Sequence, residues 1–440
     1  MPIDVGAQYR LAEDTAELAT SPFANGLRGS SILAIAAEVR KLRAEGRAVH
    51  DLTIGDFDPR IFPVPDALVE GIGHELAAGQ TNYPPAVGLP ELRQAVTALY
   101  KRTLDVEIPE EAVIVGSGAR PPLYAAFAAI VAEGDTVVYP VPSWNVNHYC
   151  YLTRARGIPI VTKPEQGFML TAEDVAPHLR TARLVALNSP QNPSGTVVTE
   201  AQLTRLCDAI LAENTRRRGT GERPVILLYD AVYWRLTFGD AVHLTPFVLR
   251  PAIAPYTVMV DAISKWWAAT GLRVGWAVAP PWIRARMQAI IGHVGAWAGR
   301  PEQLATARLL REPERTGDFL AHFKRQIRAR LELLQRGIDD MGRDGLPVRA
   351  LEVQGAIYLS VQVGLHGRTT PDGTLLETDE DVRRYLLHQA GVAVVPFTAF
   401  GYPEGSGWIR LSVGSVTMEA VQATLAALRE ALTPFAEDTD

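Results

Sequence analysis

The chain alternates short apolar runs with longer stretches of helical period, and this alternation limits its possible folds more than any other feature. "AVIVG" (112–116), "TVVYP" (136–140), "IPIVT" (158–162), "RLVALN" (183–188), "VILLY" (225–229), "YTVMV" (256–260) and "VGWAVA" (274–279) read as strands. Between most of them lie segments such as "PPLYAAFAAIVAEG" and "TEAQLTRLCDAILAEN", with apolar residues at helical spacing. Strands alternating with helices imply an α/β fold with a mostly parallel sheet covered on both faces. Ligands of such a sheet belong at the carboxyl ends of its strands.

After about residue 300 the texture changes. "EQLATARLL" and "FLAHFKRQIRARLELLQRGIDDM" read as long amphipathic helices, followed by short strands around "AIYLSVQV" and "WIRLSVG" and a closing helix "EAVQATLAALREAL". A chain of 440 residues is too long for one simple core. The expected division is therefore an N-terminal arm and helix (1–55), a large domain (56–304) and a smaller α+β domain (305–440). Within the first, "SSILAIAAEVRKLRAEG" predicts one helix opened by serine and closed by Gly46.

Composition excludes several function classes. The 43 basic and 49 acidic residues give a net charge of −6 with no basic patch, which argues against nucleic-acid or anionic-membrane partners. The two cysteines, Cys150 and Cys207, build no disulfide framework, and no cluster has zinc spacing, so no metal is expected. The start has no apolar leader and no later run approaches membrane-spanning length, so a cytoplasmic location is expected.

Five strand ends carry unusual polar residues. "VGSGARPP" (115–122) could be a plain turn or a phosphate cradle at a helix start. Trp144 in "PVPSWNVNHY" could be a packing residue, and "NSPQNPSG" (188–195) a rigid turn. Asp230 in "LLYDAVYWRL" ends an apolar strand, where a carboxylate needs a cation or donors. In "DAISKWWAATGLRVGW" (261–276), Lys265 and Arg273 follow another apolar strand. One cofactor would use all of these together. An aldehyde with a pyridine ring, a phenolic oxygen and a phosphate needs a lysine, an acid at the ring nitrogen, donors to the phenolic oxygen, an aromatic face and an anion site.

"SK" followed by "GLRVG", "NPSG" and "YDAVY", in this order and spacing, resemble the class I/II pyridoxal-phosphate aminotransferases of fold type I, from about residue 27 to the C-terminus. The resemblance implies that Lys265 forms the Schiff base, Asp230 pairs the pyridine nitrogen, and Asn192 and Tyr233 hold the phenolic oxygen. Trp144 would stack on the ring, and Gly118, Ala119, Arg120 and Arg273 would hold the phosphate. It further implies that Tyr83 of "TNYPPAVGLPELR" reaches the phosphate of a neighbouring subunit in a homodimer. Gly55 of "DLTIGDFDP" would lie beside the substrate carboxylate, which Arg410 of "WIRLSVG" would grip, with Trp144 and Asn192 also facing substrate.

The expected reaction is ping-pong transfer of an amino group from an amino acid to a 2-oxo acid. A lyase, decarboxylase or carbon–carbon bond-forming reaction on the same cofactor is the alternative, and a nicotinamide-dependent oxidoreductase using "GSGARP" a remote one. Three departures from the family pattern stand out: Ala262 where a serine is frequent, Phe397 where a glycine is usual, and Trp297 with Arg300 in "VGAWAGRPEQ". Phe397 is expected to narrow or reshape the substrate pocket.

Overall fold

The computed structural model of the chain describes residues 18–436 other than 28 and 30. The first seventeen residues of the expected arm, and the Ser30 expected to open its helix, lie outside the described residues. Seven strands build the central sheet. Numbered along the chain after a short β1 (His50–Asp51), they are β2 (Val113–Ser117), β3 (Thr136–Val141), β4 (Arg156–Val161), β5 (Ala182–Asn188), β6 (Ile226–Asp230), β7 (Thr257–Ala262) and β8 (Val274–Val278). Each falls within two residues of the run that predicted it.

Successive residues of these strands alternate between two cores. Ile114, Val137, Leu184, Ile226, Val258 and Ala277 pack on one face, and Val113, Val138, Val185, Leu227, Met259 and Trp276 on the other. A sheet buried on both sides is why its strands read as unbroken apolar runs. The helices Arg120–Ile130 and Pro281–Val294 cover the first face. Pro90–Leu104, Glu200–Thr220 and Arg300–Arg311 cover the second. The Glu200–Thr220 helix shows how local sequence sets such an element. Thr199 and Gln202 cap its first turn reciprocally, and Gly221 at φ +72° closes it.

The strand order is β2-β8-β7-β6-β5-β3-β4, and all neighbours are parallel except β8, which runs antiparallel to both β2 and β7. Only eleven residues separate β7 from β8, too few for the helical crossover a parallel return needs. The carboxyl ends of β2, β3, β4, β5, β6 and β7 therefore share one edge with the amino end of β8.

A second, four-stranded sheet is built from β9 (Val348–Ala350), β10 (Tyr358–Val363), β12 (Val395–Pro396) and β13 (Trp408–Ser412), in the antiparallel order β12-β13-β10-β9. The strand β11 (Val392–Ala393) pairs instead with β1, in parallel. The helix Ser31–Ala44 packs Val39 and Leu42 against Leu387 and Ala393, so the N-terminal segment folds onto C-terminal residues. Glu38 pairs with the buried Arg383 at 2.8 Å across the same contact. The 30-residue helix Glu314–Arg343 supports this sheet through Phe323, Ile327, Leu331 and Leu334.

Candidate active site

The edge at which six strands end holds a cavity of about 790 Å³. Ten of the twelve residues singled out by sequence line it: Gly55, Ala119, Arg120, Trp144, Asn192, Asp230, Tyr233, Lys265, Arg273 and Arg410. Each arrives there for a reason of topology. Asp230 is the last residue of β6, and Lys265 sits in the short helical turn Ile263–Trp266 that follows β7. Because β2 and β8 are antiparallel, the residue after Ser117 and the residue before Val274 are brought side by side. A side chain at Gly118 (φ +76°) would place its Cβ 2.3 Å from Arg273 Nη2, so only glycine fits. The Arg273 guanidinium donates to the Ser117 carbonyl at 3.1 Å and the Thr270 carbonyl at 2.5 Å.

The β5–β6 register, Asn188 opposite Asp230, organises the next loop. Asn188 donates to the Asp230 carbonyl at 2.9 Å and accepts the Asn192 N–H at 2.8 Å. Asn192 Oδ1 accepts from Arg410 Nη1 at 3.0 Å, which links the central sheet to β13. Arg410 is buried to 1% exposure, lies over the rings of Tyr358 (4.6 Å) and Phe400 (5.1 Å), and keeps a buried Nε with no partner.

Four successive carbonyls of the segment after β1 are taken up by four donor groups, two of them on Ser412. Leu52 accepts the Ser412 N–H at 2.8 Å, Thr53 the Arg410 Nη2 at 2.5 Å, Ile54 the Ser412 hydroxyl at 2.6 Å, and Gly55 the Lys265 Nζ at 2.6 Å.

The electrostatics of the cavity oppose the ordinary state of its two central groups. Burial lowers Lys265 to about 8; Arg410, Arg120 and Arg273 act in the same direction and Asp56 against it. Burial raises Asp230 to about 6, while the Val232 N–H and Lys265 pull it back. A lysine that is partly neutral near pH 8 can accept a proton, and four cations against two carboxylates make the cavity an anion site.

Two expected residues stand apart from the cavity lining. Gly118 acts behind Arg273, and Tyr83 is 82% exposed, its ring edge-on to Trp297 at 5.6 Å. The expectation for Phe397 is corrected. It is wholly buried and packs on Phe168, Phe400, Tyr402 and Trp408, forming a core behind the site and not the cavity wall. Sequence reasoning missed Tyr358, whose hydroxyl meets that of Tyr233 at 2.6 Å, and Asp56, which accepts from Thr270 at 2.5 Å. Tyr358 looks like core because it sits in a buried strand. Asp56 lies in "DLTIGDFDP", and its acidity is the available signal.

Residues 47–428 match the family model for aminotransferases of class I and II. The chain belongs to that family. It is a pyridoxal-phosphate-dependent aminotransferase, moving an amino group from an amino acid to a 2-oxo acid. This aminotransferase is 32% identical over 378 residues (85% of this chain, 90% of the other) to the probable aspartate/prephenate aminotransferase of Rhizobium leguminosarum bv. phaseoli. It is 30% identical over 397 residues (90% and 92%) to the aspartate aminotransferase of Rhizobium meliloti strain 1021. Its fold superposes on the crystal structure of the Rhizobium meliloti aspartate aminotransferase with a TM-score of 0.85, at 27% identity over 94% of this chain and 98% of that one. The Thermus thermophilus aspartate aminotransferase with maleate gives 0.82, at 26% identity over 94% and 99%. The family's mostly parallel sheet between helices is the one described here.

The residues present fit the family's cofactor. The cradle at Gly118 is closed to any side chain, a carboxyl waits on the cavity floor, and a lysine with a lowered pKa faces it. Among the described residues no helix is long and apolar enough to cross a membrane.

Proposed function

We propose that this aminotransferase acts on dicarboxylic amino and 2-oxo acids, with the roles divided among the residues of the cavity. Arg410 receives the α-carboxylate beside Gly55, and Arg120 the distal one. The supporting observation is the state of Arg120. Its guanidinium lies 4.5 Å from the Trp144 ring and lines the cavity, yet it has no hydrogen bond or ion pair among the described residues. A cation on the ring that faces the cofactor is placed for an anionic substrate group. The names of the related aspartate aminotransferases agree with that substrate class.

Bound pyridoxal phosphate would supply the electron sink for the pair left at Cα when its proton leaves. Lys265 Nζ takes that proton, and its lowered pKa makes the neutral amine available. Asp230 holds the ring nitrogen protonated, and Asn192 and Tyr233 orient the phenolic oxygen. Trp144 stacks on the ring. Ala119, Arg120 (by its backbone N–H), Arg273 and the glycine turn at 118 hold the phosphate. Ser264, buried and lining the cavity, supplies the hydroxyl that Ala262 lacks. The 56–304 and 305–440 division and a homodimer that shares its sites through Tyr83 complete this reading.

Arg120→Gln tests it. Specificity constants for dicarboxylic substrates should fall about 30-fold or more, the ~2 kcal/mol or more of a desolvated charge pair, with neutral amino acids and cofactor affinity little changed. Equal losses for both substrate classes, tracking weaker cofactor binding, would place Arg120 in the phosphate site instead.

A further inference from the structure

Four residues before Lys265 lies a carboxyl that none of the roles above uses. Asp261, in β7, is wholly buried. One of its oxygens accepts the Ala262 N–H at 2.7 Å and lies 3.4 Å from Trp266 Nε1. The other accepts Trp234 Nε1 at 2.8 Å and the Tyr100 hydroxyl at 3.2 Å, while Trp276 Nε1 donates to that hydroxyl at 2.8 Å. Every group around it is a donor, which suits the acceptor-only, ionised form. The Arg235 guanidinium lies over the rings of both Trp234 (5.1 Å) and Trp266 (5.3 Å), a cation separated from the carboxylate by two indoles. Burial pushes the carboxyl up to about 7, with these donors pulling against it.

The two indoles have informative neighbours. Trp234 directly follows Tyr233, and Trp266 directly follows Lys265. Across the cavity the Lys265 amine lies 5.6 Å from the Tyr233 ring, so the two groups must keep a common frame. Their backbones come from different strands, β6 and β7, and each is pinned through its tryptophan to the same carboxylate.

We infer that Asp261 is a positioning residue that indexes the Tyr233 and Lys265 segments to one buried anchor. The inference rests on the proposed roles of Tyr233 and Lys265. A hydroxyl donated to the phenolic oxygen favours its anionic form, so slack in Tyr233 raises the pH at which the cofactor held on Lys265 changes colour. Removing Trp234 Nε1 or the charge that receives it introduces that slack.

The test is a spectrophotometric pH titration of the holoenzyme together with steady-state kinetics for D261N, W234F, Y233F and D261N/Y233F. D261N should raise the midpoint of the absorbance change by about half a unit or more and lower kcat about fivefold or more, with KM within about twofold. W234F should move both in the same direction. In the Y233F background D261N should add a clearly smaller spectral shift than in the wild type, since one of the two groups it positions is already gone. An unchanged midpoint and kcat in D261N, even with a lower melting temperature, would overturn the inference and leave Asp261 a purely structural anchor. Should D261N fail to fold, the same reading of W234F decides it: a wild-type midpoint there overturns the inference. Failure of the underlying site assignment looks different, because Lys265→Ala would then leave the pH-dependent colour change in place.

Discussion

Asp230 is held at about 6 by burial, some two units above its ordinary 3.8, and that displacement has a consequence for stability. The folded chain binds the proton more tightly than the unfolded one between these values. Stability from this group is thus fully present below pH 3.8 and is lost as pH rises through about 6. At neutral pH the ionised carboxyl costs the cofactor-free fold about 3 kcal/mol. Asp230→Asn should therefore stabilise the cofactor-free protein at pH 7 by up to that amount, and by little at pH 4, while slowing turnover of the holoenzyme by orders of magnitude. Denaturant midpoints of both proteins across pH 4–8 check this, and a difference that does not vary with pH would contradict it. Lys265 and Asp230 were legible in the sequence for the same reason that they are strained: a charge directly after an apolar strand has no ordinary use. Tyr358 was not legible, because a tyrosine in a buried strand satisfies every packing rule whether or not its hydroxyl faces a cavity. Phe397 misled in the opposite way, since its place in the motif says nothing about which side of the chain its ring takes.

At the scale of elements the strands were readable and their directions only partly so. Alternation with helices predicts parallel neighbours, but β8 follows β7 after a short connection and must reverse. That reversal places Arg273 at Gly118, a contact between residues 155 apart that no local pattern announces. Loop 188–195 shows the same dependence on distant backbone. Gly195 has φ +73°, and a Cβ there would stand 2.2 Å from the Tyr358 carbonyl oxygen. Its N–H and carbonyl bond Gln191 and Gly355. Gly195→Ala must therefore push β10 away from the loop that carries Asn192. A loss of about 3 kcal/mol or more in unfolding free energy is expected, with raised KM for all substrates, because Asn192 steadies Arg410. A variant that melts like the wild type would show that the loop yields freely.

For the whole molecule, the N-terminal helix and the C-terminal residues close on each other across the chain, a pairing that composition and periodicity leave open. The surface around Tyr83 raises the remaining question of assembly. Tyr83 is 82% exposed and Val294 63%, two of the exposed large apolar groups among the described residues. If the proposed dimer shares its sites, Tyr83→Ala and Arg273→Ala proteins should each be weak, and mixing them should restore one complete site in each mixed dimer. The complete site would join an intact Arg273 to the partner subunit's Tyr83. Recovery of activity after subunit exchange is the expected result; no recovery, or a fully active monomer in sedimentation, would count against it.

The four consecutive carbonyls from Leu52 to Gly55 also say something about how this protein can change over evolutionary time. Each answers to a different donor group, two of them on Ser412, so the segment behaves like a key cut in four places. A change of side chain leaves these carbonyls in place except at Gly55, where a Cβ would stand 2.8 Å from the Tyr358 hydroxyl. Adding or removing one residue between Asp51 and Gly55 moves every carbonyl to the wrong partner at once, and with them the lysine amine and the carboxylate-gripping arginine. Length is therefore frozen in this stretch even where side-chain identity is free.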